Sequence, residues 1–402
     1  MKKFGLIAVA VVAATLAFSG CSKKSQNVEK SEEVKASSGK FKVGVIYIGD
    51  ENEGYTAAHM AGIQEMKTAL GLSDADVIEK KGIPESEKCY DAVVDLAEQK
   101  CNYIIATSFG HESYLIQAAK EYPEIQFAHA TGYQAASSGL KNVHNFMPAV
   151  YESRYVSGVV AGLKLNEMIN DGKIKAEEAK IGYVGAYPYA EVVSGYTSFF
   201  LGVRSVCPVA TMEVRYTNSW ADMSLEQETA KALIAAKCVL ISQHADTTGA
   251  PTACQAAGVP CVGYNVDMIS VAPDAALTSA ALNWGAFYKE SAAAFKNGQD
   301  FPVDWAKGYA DGAVYITPVN TNVAAEGTQA IVDKTIADLK AGTLKVFNTS
   351  TFQVNGTNLE DLIAEGGDYA KYAAYVSNGA FNEQTGFAAP AFDIRIDGIV
   401  EK

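Results

Sequence analysis

Phe41–Ile48 reads FKVGVIYI, Gly49–Tyr55 reads GDENEGY and Thr56–Leu70 reads TAAHMAGIQEMKTAL. The first stretch is an apolar, β-branched strand. The last places Ala, Met and Leu on one face at helical spacing. A strand feeding a helix through a polar turn is the opening of a βαβ unit. The pattern repeats downstream. Val77–Lys80, Tyr103–Ala106, Ile125–His129 and Val143–Phe146 read as strands, with helices at Ser86–Gln99 and Ser113–Glu121 between them. Apolar strands separated by amphipathic helices predict a parallel sheet buried on both faces.

A long helix at Ala149–Asn170, with small residues at Ser157, Gly158, Ala161 and Gly162, follows this run. The alternation then restarts. Strands are expected at Lys180–Val184, Met212–Tyr216, Cys238–Ser242, Cys261–Tyr264 and Leu277–Leu282. Helices are expected at Glu191–Arg204, Leu225–Ala236, Thr252–Ala257, Trp284–Lys296 and Asn320–Ala341. The end, Leu344–Val354 and Phe392–Val400, reads as strand pairs with turns. The two runs share a pattern but not letters. This is the layout of an α/β, two-lobed type I periplasmic binding protein fold, each lobe a parallel sheet flanked by helices. The expected division is 41–148 plus 284–318 for the N-terminal lobe and 149–283 plus 319–402 for the C-terminal lobe.

The chain has 402 residues, of which 49% are hydrophobic, and a net charge of −13. That is ample material for globular cores. An acidic chain without a Lys/Arg-rich block excludes nucleic acid as a partner. Met1-Lys2-Lys3 followed by the apolar run Phe4–Phe18 describes a secretory signal over 1–20, too short for a spanning helix. Ser19-Gly20-Cys21 resembles a bacterial lipoprotein box, in which Cys21 would be lipidated and become the first mature residue. Residues 21–40 are charged, serine-rich and nearly free of large apolar groups, and read as a tether. The expected location is outside the cell membrane, anchored to it by lipid.

Six further cysteines fall in sequential pairs: Cys89 with Cys101, Cys207 with Cys238, Cys254 with Cys261. In an exported chain they read either as three local disulfides or as free buried thiols. There is no Cys-x-x-Cys and no His-x-x-x-His, so neither a metal site nor a cofactor is expected.

In open parallel sheets, ligands bind beyond the carboxyl ends of the strands. That rule selects Gly49–Tyr55, Thr107-Ser108-Phe109-Gly110 and Thr131-Gly132-Tyr133 in the first run. In the second it selects Gly185–Pro188 with Tyr187, Thr217-Asn218-Ser219-Trp220, Gln243-His244-Ala245-Asp246, Asn265-Val266-Asp267-Met268 and Asn283-Trp284. Nearly every end carries an aromatic, an amide or a carboxylate. Aromatic faces stack, and amides and acids pair with ring N–H and acceptor groups. Such a set fits a planar polar heterocycle; a sugar also stacks on aromatics. Asp and Asn after strands serve equally as helix caps and turn formers.

The segments VGVIYIGDENEGYTAAHMAG, VRYTNSWADMSLEQETAKALI, QHADT, GYNVDM and APDAALTSAALNWG are similar to the basic membrane protein family, over about Lys42 to Phe347. These are lipoprotein receptors of ABC importers and include purine-nucleoside-binding members. The resemblance implies a base sandwiched between Tyr55 and Trp220, with Asn265 and Asp267 where the family places acids near ribose or base. Nucleoside-binding members carry a lysine near position 283, and this chain has Asn283 there, which favours a free base or another flat ligand such as a flavin. The implied partners are a small-molecule ligand and an ABC permease. An exported nucleoside-processing enzyme would need a nucleophile or acid–base set, and the sequence lacks Gly-x-Ser-x-Gly, the phosphate-binding loop and Gly-x-Gly-x-x-Gly. His244 with Asp246 is the one spacing that suits a base and its orienter. A surface ligand sensor would share the same cleft.

Overall fold

The computed structural model describes residues 40–402. The signal over 1–20, the lipidation residue Cys21 and the tether as far as residue 39 lie outside the described residues. The described chain begins with β1 (Val43–Ile46), α1 (Gly54–Leu70), β2 (Val77–Lys80), α2 (Glu87–Glu98) and β3 (Tyr103–Ala106). It continues through α3 (Glu112–Glu121), β4 (Gln126–Ala130), α4 (Ala135–Ser138) and β5 (Val143–Phe146). β1 pairs in parallel on both sides, Val43 facing Val77 of β2 and Tyr103 of β3. The resulting six-stranded sheet is closed by a late arrival, β11 (Asp304–Trp305), which pairs in parallel with β5.

The second run holds α5 (Val150–Asn170), β6 (Lys180–Gly185), α6 (Ala190–Val206), β7 (Thr211–Tyr216), α7 (Met223–Ala235) and β8 (Leu240–Gln243). Then come α8 (Gly249–Ala257), β9 (Cys261–Tyr264), β10 (Ala276–Leu282) and α9 (Trp284–Lys296). After β11 follow β12 (Val314–Ile316), α10 (Thr328–Lys340), α11 (Leu359–Glu365), the small hairpin β13 (Val376–Ser377) and β14 (Ala380–Phe381), and β15 (Ile399–Glu401). The seven-stranded second sheet runs β12-β10-β9-β8-β6-β7-β15, with β12 alone antiparallel to its neighbour. β12 lies within the stretch expected in the first lobe, yet it completes the second sheet.

Strand alternation buries both faces. In the first sheet Val43, Val45, Tyr103 and Ile105 share one core, and Ile46, Ile104 and Ala106 share the other. In the second, Ile181 and Tyr183 face one core and Val184 and Ala186 the other. The chain passes between the sheets at 147–149, at 283 and at 306–313. These crossings are bonded to one another. Met147 N–H donates to Trp305 O (3.1 Å), Ala149 N–H to Lys307 O (2.8 Å) and Asn283 N–H to Ala313 O (2.8 Å).

The small residues of α5 are explained by α6. A Cβ on Gly158 would sit 2.1 Å from Phe199 O, and one on Gly202 would sit 2.0 Å from Tyr155 O. The two helices meet backbone to backbone, and only glycine permits that approach.

One open alternative is resolved, and two expectations are corrected. The six cysteines are free thiols. Cys207 and Cys238 lie in different cores on opposite faces of the second sheet, which separates them. Cys89 and Cys101 share a core, but the Cys89 thiol faces His111 O at 4.0 Å. Cys254 and Cys261 share a core, and the neighbouring Cys261 thiol and burial push the Cys254 thiol well up. Second, the expected helix from Asn320 starts only at Thr328. Gly327 before it is left-handed (φ 77°), and the Asn320 amide is spent on the Pro273 and Ala276 carbonyls. Third, the strand pairs expected at the end reduce to β15. Phe392, Ile394 and Ile396 do alternate inward like a strand, but they pack into the second-lobe core without a ladder partner.

Candidate functional site

The carboxyl ends of the two sheets face each other across a nearly closed cleft. Its inner cavity has a volume of about 30 Å³, room for a water or two. The first sheet contributes Ile48, Tyr55, Ser108, Phe109 and Thr131. The second contributes Glu191, Trp220, His244, Asp246 and Tyr264. The walls touch: Gly54 N–H donates to Asp246 O (3.1 Å), and a Cβ on Gly54 would lie 3.0 Å from that oxygen.

Tyr55 is placed by the start of α1. The Glu53 carboxylate accepts from Tyr55 N (2.5 Å) and Thr56 N (2.9 Å), capping the helix. Gly71, left-handed at φ 63°, ends it. Tyr55 OH donates to Thr107 O (2.5 Å). Behind its ring stands a block of aromatics. Trp284 meets it edge-on at 5.7 Å, and His59 stacks on Trp284 at 3.9 Å. Trp284 is 1% exposed and braces Tyr55 without reaching the cavity.

Opposite, Trp220 follows β7 through a turn at Asn218, where φ is +56°. The turn aims Trp220 into the cleft and leaves Asn218 exposed. Tyr187 packs edge-on against Trp220 at 5.1 Å, and Asp246 N–H donates to Trp220 O (2.9 Å).

The polar floor lies between these rings. Asn265, at φ +64°, donates Nδ2–H to Asp246 Oδ1 (2.7 Å), while its own Oδ1 has no partner. Burial raises the Asp246 carboxyl well above the ordinary range, and the charges of Glu53, Glu226 and Glu191 add to it. His244 is pushed down to about 4 by burial, then by the Arg154 charge. Its ring is therefore neutral at physiological pH; Nδ1 lacks a hydrogen-bond partner, and Nε2 has only the Glu191 carboxylate at 3.5 Å. Arg154 is fully buried beneath. Its Nη1–H donates to Gln243 O (2.5 Å) at the end of β8, and its guanidinium lies 3.7 Å over the Tyr264 ring. Unpartnered buried polar atoms beside a cavity are what a polar ligand would satisfy. Among the described residues no lysine or arginine lines the inner cavity, and no group of metal-ligating side chains is present.

Of the twelve expected site residues, Tyr55, Ser108, Phe109, Trp220, His244 and Asp246 line this cavity. Asn265, Tyr187 and Trp284 stand one layer behind. Tyr133 lines an adjoining chamber. Asn218 is exposed, and so is Asp267, whose carboxylate accepts from Ile269 N (2.9 Å) as a turn former. Sequence reasoning missed Tyr264, Glu191 and Arg154. Tyr264 is the last residue of its strand, one short of where the strand-end rule began reading. Glu191 is in the first turn of α6. Arg154 is the one arginine in a helix otherwise small and apolar toward its neighbours, which was its available signal.

The family described as "ABC transporter substrate-binding protein PnrA-like" matches residues 40–342. A purine-binding protein of Brucella abortus is 33% identical over 309 residues, covering 77% of this chain and 83% of its own. A Haloferax volcanii protein provisionally named for glucose binding in an ABC transporter is 32% identical over 244 residues, 60% of this chain and 58% of its own. The solute-binding protein of an ABC transporter system from Aeropyrum pernix K1 superposes with a TM-score of 0.64 at 16% identity, over 81% of this chain and 97% of that one. Among the described residues no helix is long and apolar enough to cross a membrane.

Proposed function

The chain belongs to the PnrA-like family of ABC transporter substrate-binding proteins, and from that premise we propose that it captures an uncharged purine, as base or nucleoside, between Tyr55 and Trp220. The two lobes, hinged at the three crossings, close over it and present it to an ABC permease outside the cytoplasm. Lipid on Cys21 holds the protein at the membrane.

One observation carries the ligand class. Two aromatic rings from different lobes line a cavity whose acidic side chains, Glu191 and Asp246, are accompanied by no lining lysine or arginine. A phosphorylated ligand would find no lining cation there, and N–H-rich flat rings are matched by the carboxyl oxygens. The purine-binding relative agrees in direction. Contacts to both lobes exist only in the closed form, so ligand shifts the population toward closure.

The glucose name of the second relative favours a sugar as the competing reading. Calorimetry with adenine, guanine, hypoxanthine, their nucleosides, riboflavin and glucose decides between them. Binding of a purine is the expected result. Binding of glucose alone, or of riboflavin alone, overturns the purine assignment. A Cys21→Ser variant should leave the membrane fraction; its retention there overturns the anchor.

A further inference from the structure

Beyond the inner cavity, on the far side of Phe109, the structure holds a second chamber of about 410 Å³. It shares Phe109, Thr131 and Glu191 with the inner cavity, so the two spaces adjoin. Its size falls in the range of pockets that bury small ligands, roughly 300–1,000 Å³.

Three parts of the chain wall it in. Tyr133 comes from the first lobe and Tyr189 from the second. Tyr372, Tyr375 and Phe387 come from residues 343–402, which lie outside the span matched by the family. That extension is secured to both lobes. Ala389 N–H donates to Gly132 O (3.1 Å) and Ala388 N–H to Asp304 Oδ1 (2.9 Å) on one side. On the other, the Glu383 carboxylate accepts from Ser194 Oγ, Ala391 N (2.5 Å) and Phe392 N (2.9 Å).

The lining is mostly aromatic and apolar. Tyr133 and Tyr189 are 47% and 41% exposed, large rings left facing open space. Phe109 stacks on both, at 5.9 Å and 5.3 Å, and Tyr189 stacks in turn on Tyr187, which packs against Trp220. A row of contacting rings, stacked from Tyr133 to Tyr187 and edge-on at Trp220, therefore runs from the chamber to the inner cleft. Three charged groups also line it: Glu191, shared with the inner cavity, and Asp393 with Lys371, whose ammonium lies 3.5 Å from Asp393.

We propose that this chamber is a second subsite, built by the C-terminal extension, that takes a flat apolar substituent carried on the heterocycle held in the inner cleft. The proposal rests on the purine reading of that cleft. It makes the ligand a substituted purine rather than the bare ring. Successive stacking faces accept any planar group, and the scarcity of polar lining selects for an apolar one.

Calorimetry on the full chain would use adenine, 6-benzylaminopurine and 9-benzyladenine, which carry the same added ring on opposite edges. One of the benzylated purines should bind about tenfold or more tightly than adenine. Phe387→Ala and Tyr375→Ala should each erase most of that gain and leave adenine within about twofold of the native value. Benzylated purines that bind no better than adenine overturn the subsite, as does a gain that survives in both variants. If no purine binds at all, the purine reading has failed separately. The chamber is then read by native mass spectrometry of protein purified without added ligand. A copurifying ligand lost from Phe387→Ala supports it; equal retention, or no ligand in either protein, overturns it.

Discussion

Asn265 and Asp246, at the ends of the neighbouring strands β9 and β8, hold each other side chain to side chain at 2.7 Å, both buried. Each extends a strand end, and the left-handed backbone at Asn265 turns its amide back toward Asp246. The carboxyl keeps a second oxygen for a ligand. Asp246→Asn preserves the acceptor for Asn265 and replaces a carboxyl whose charged form burial disfavours, so its melting temperature should match or exceed the native one. Asn265→Leu leaves the carboxyl without its donor and should lose about 1–3 kcal/mol of stability. Thermal melts in parallel check the pair; equal loss in both variants would contradict this account.

Trp220→Ala should weaken ligand binding roughly tenfold to a hundredfold, since stacking a base on an aromatic contributes about 1–3 kcal/mol. Tyr55→Phe, which keeps the ring and loses only the bond to Thr107 O, should cost far less. Calorimetry with the best purine tests both. Unchanged affinity in Trp220→Ala would move the ligand out of this cleft.

Glu383 is buried, and burial raises its carboxyl from 4.5 to about 7 despite the groups that donate to it. A folded-state value above the unfolded one means the native protein holds more protons between those limits. The contribution of Glu383 to stability should therefore be greatest below about pH 4.5, fall as pH rises from there to about 7, and change no further above. Glu383→Gln can still accept from Ala391 and Phe392 and can donate to Ser194. It should flatten that decline, by an amount on the order of 1–3 kcal/mol. Melts from pH 4.5 to 8 read it, and an unaltered slope would refute it.

Gly202→Ala would bring a methyl to 2.0 Å from Tyr155 O. Because the obstacle is backbone, α5 and α6 must separate, at about 1–3 kcal/mol or more. Gly71→Ala would meet no neighbour and pays only for its left-handed backbone, so it should cost less. Denaturant titration of the two variants gives the comparison.

Much of this molecule is written in short-range pattern. The strands Tyr103–Ala106, Val143–Phe146 and Cys261–Tyr264 and the helix Trp284–Lys296 fall where their spacing puts them, because each is apolar on the faces its neighbours cover. Strand-end reading also reached Tyr55, Phe109, Trp220, His244 and Asp246. It failed where position depends on the three-dimensional path. Asp267 looked like a ligand group but forms a turn two residues past the buried Asn265. Arg154 lies far from any strand end in sequence and reaches the cleft floor only because α5 packs against β9 and β10, from where its side chain extends to the end of β8. Phe392–Ile396 has a strand's alternation and no partner, since its apolar side chains are satisfied by the core alone. The C-terminal wall of the outer chamber could not be foreseen: nothing in 343–402 announces which lobe it will touch.

The chain has three tryptophans. Trp284 and Trp305 are 1% and 2% exposed, sealed in the first lobe, whereas Trp220 is half-buried at the cavity wall. Of the three, only Trp220 lines the cavity, while Trp284 stands behind Tyr55. Filling or emptying the cleft should therefore shift the wavelength and quenching of Trp220 most. The protein thus carries an intrinsic optical probe of occupancy, with Trp220→Phe as its blank, and capture and release can be followed in real time without a label.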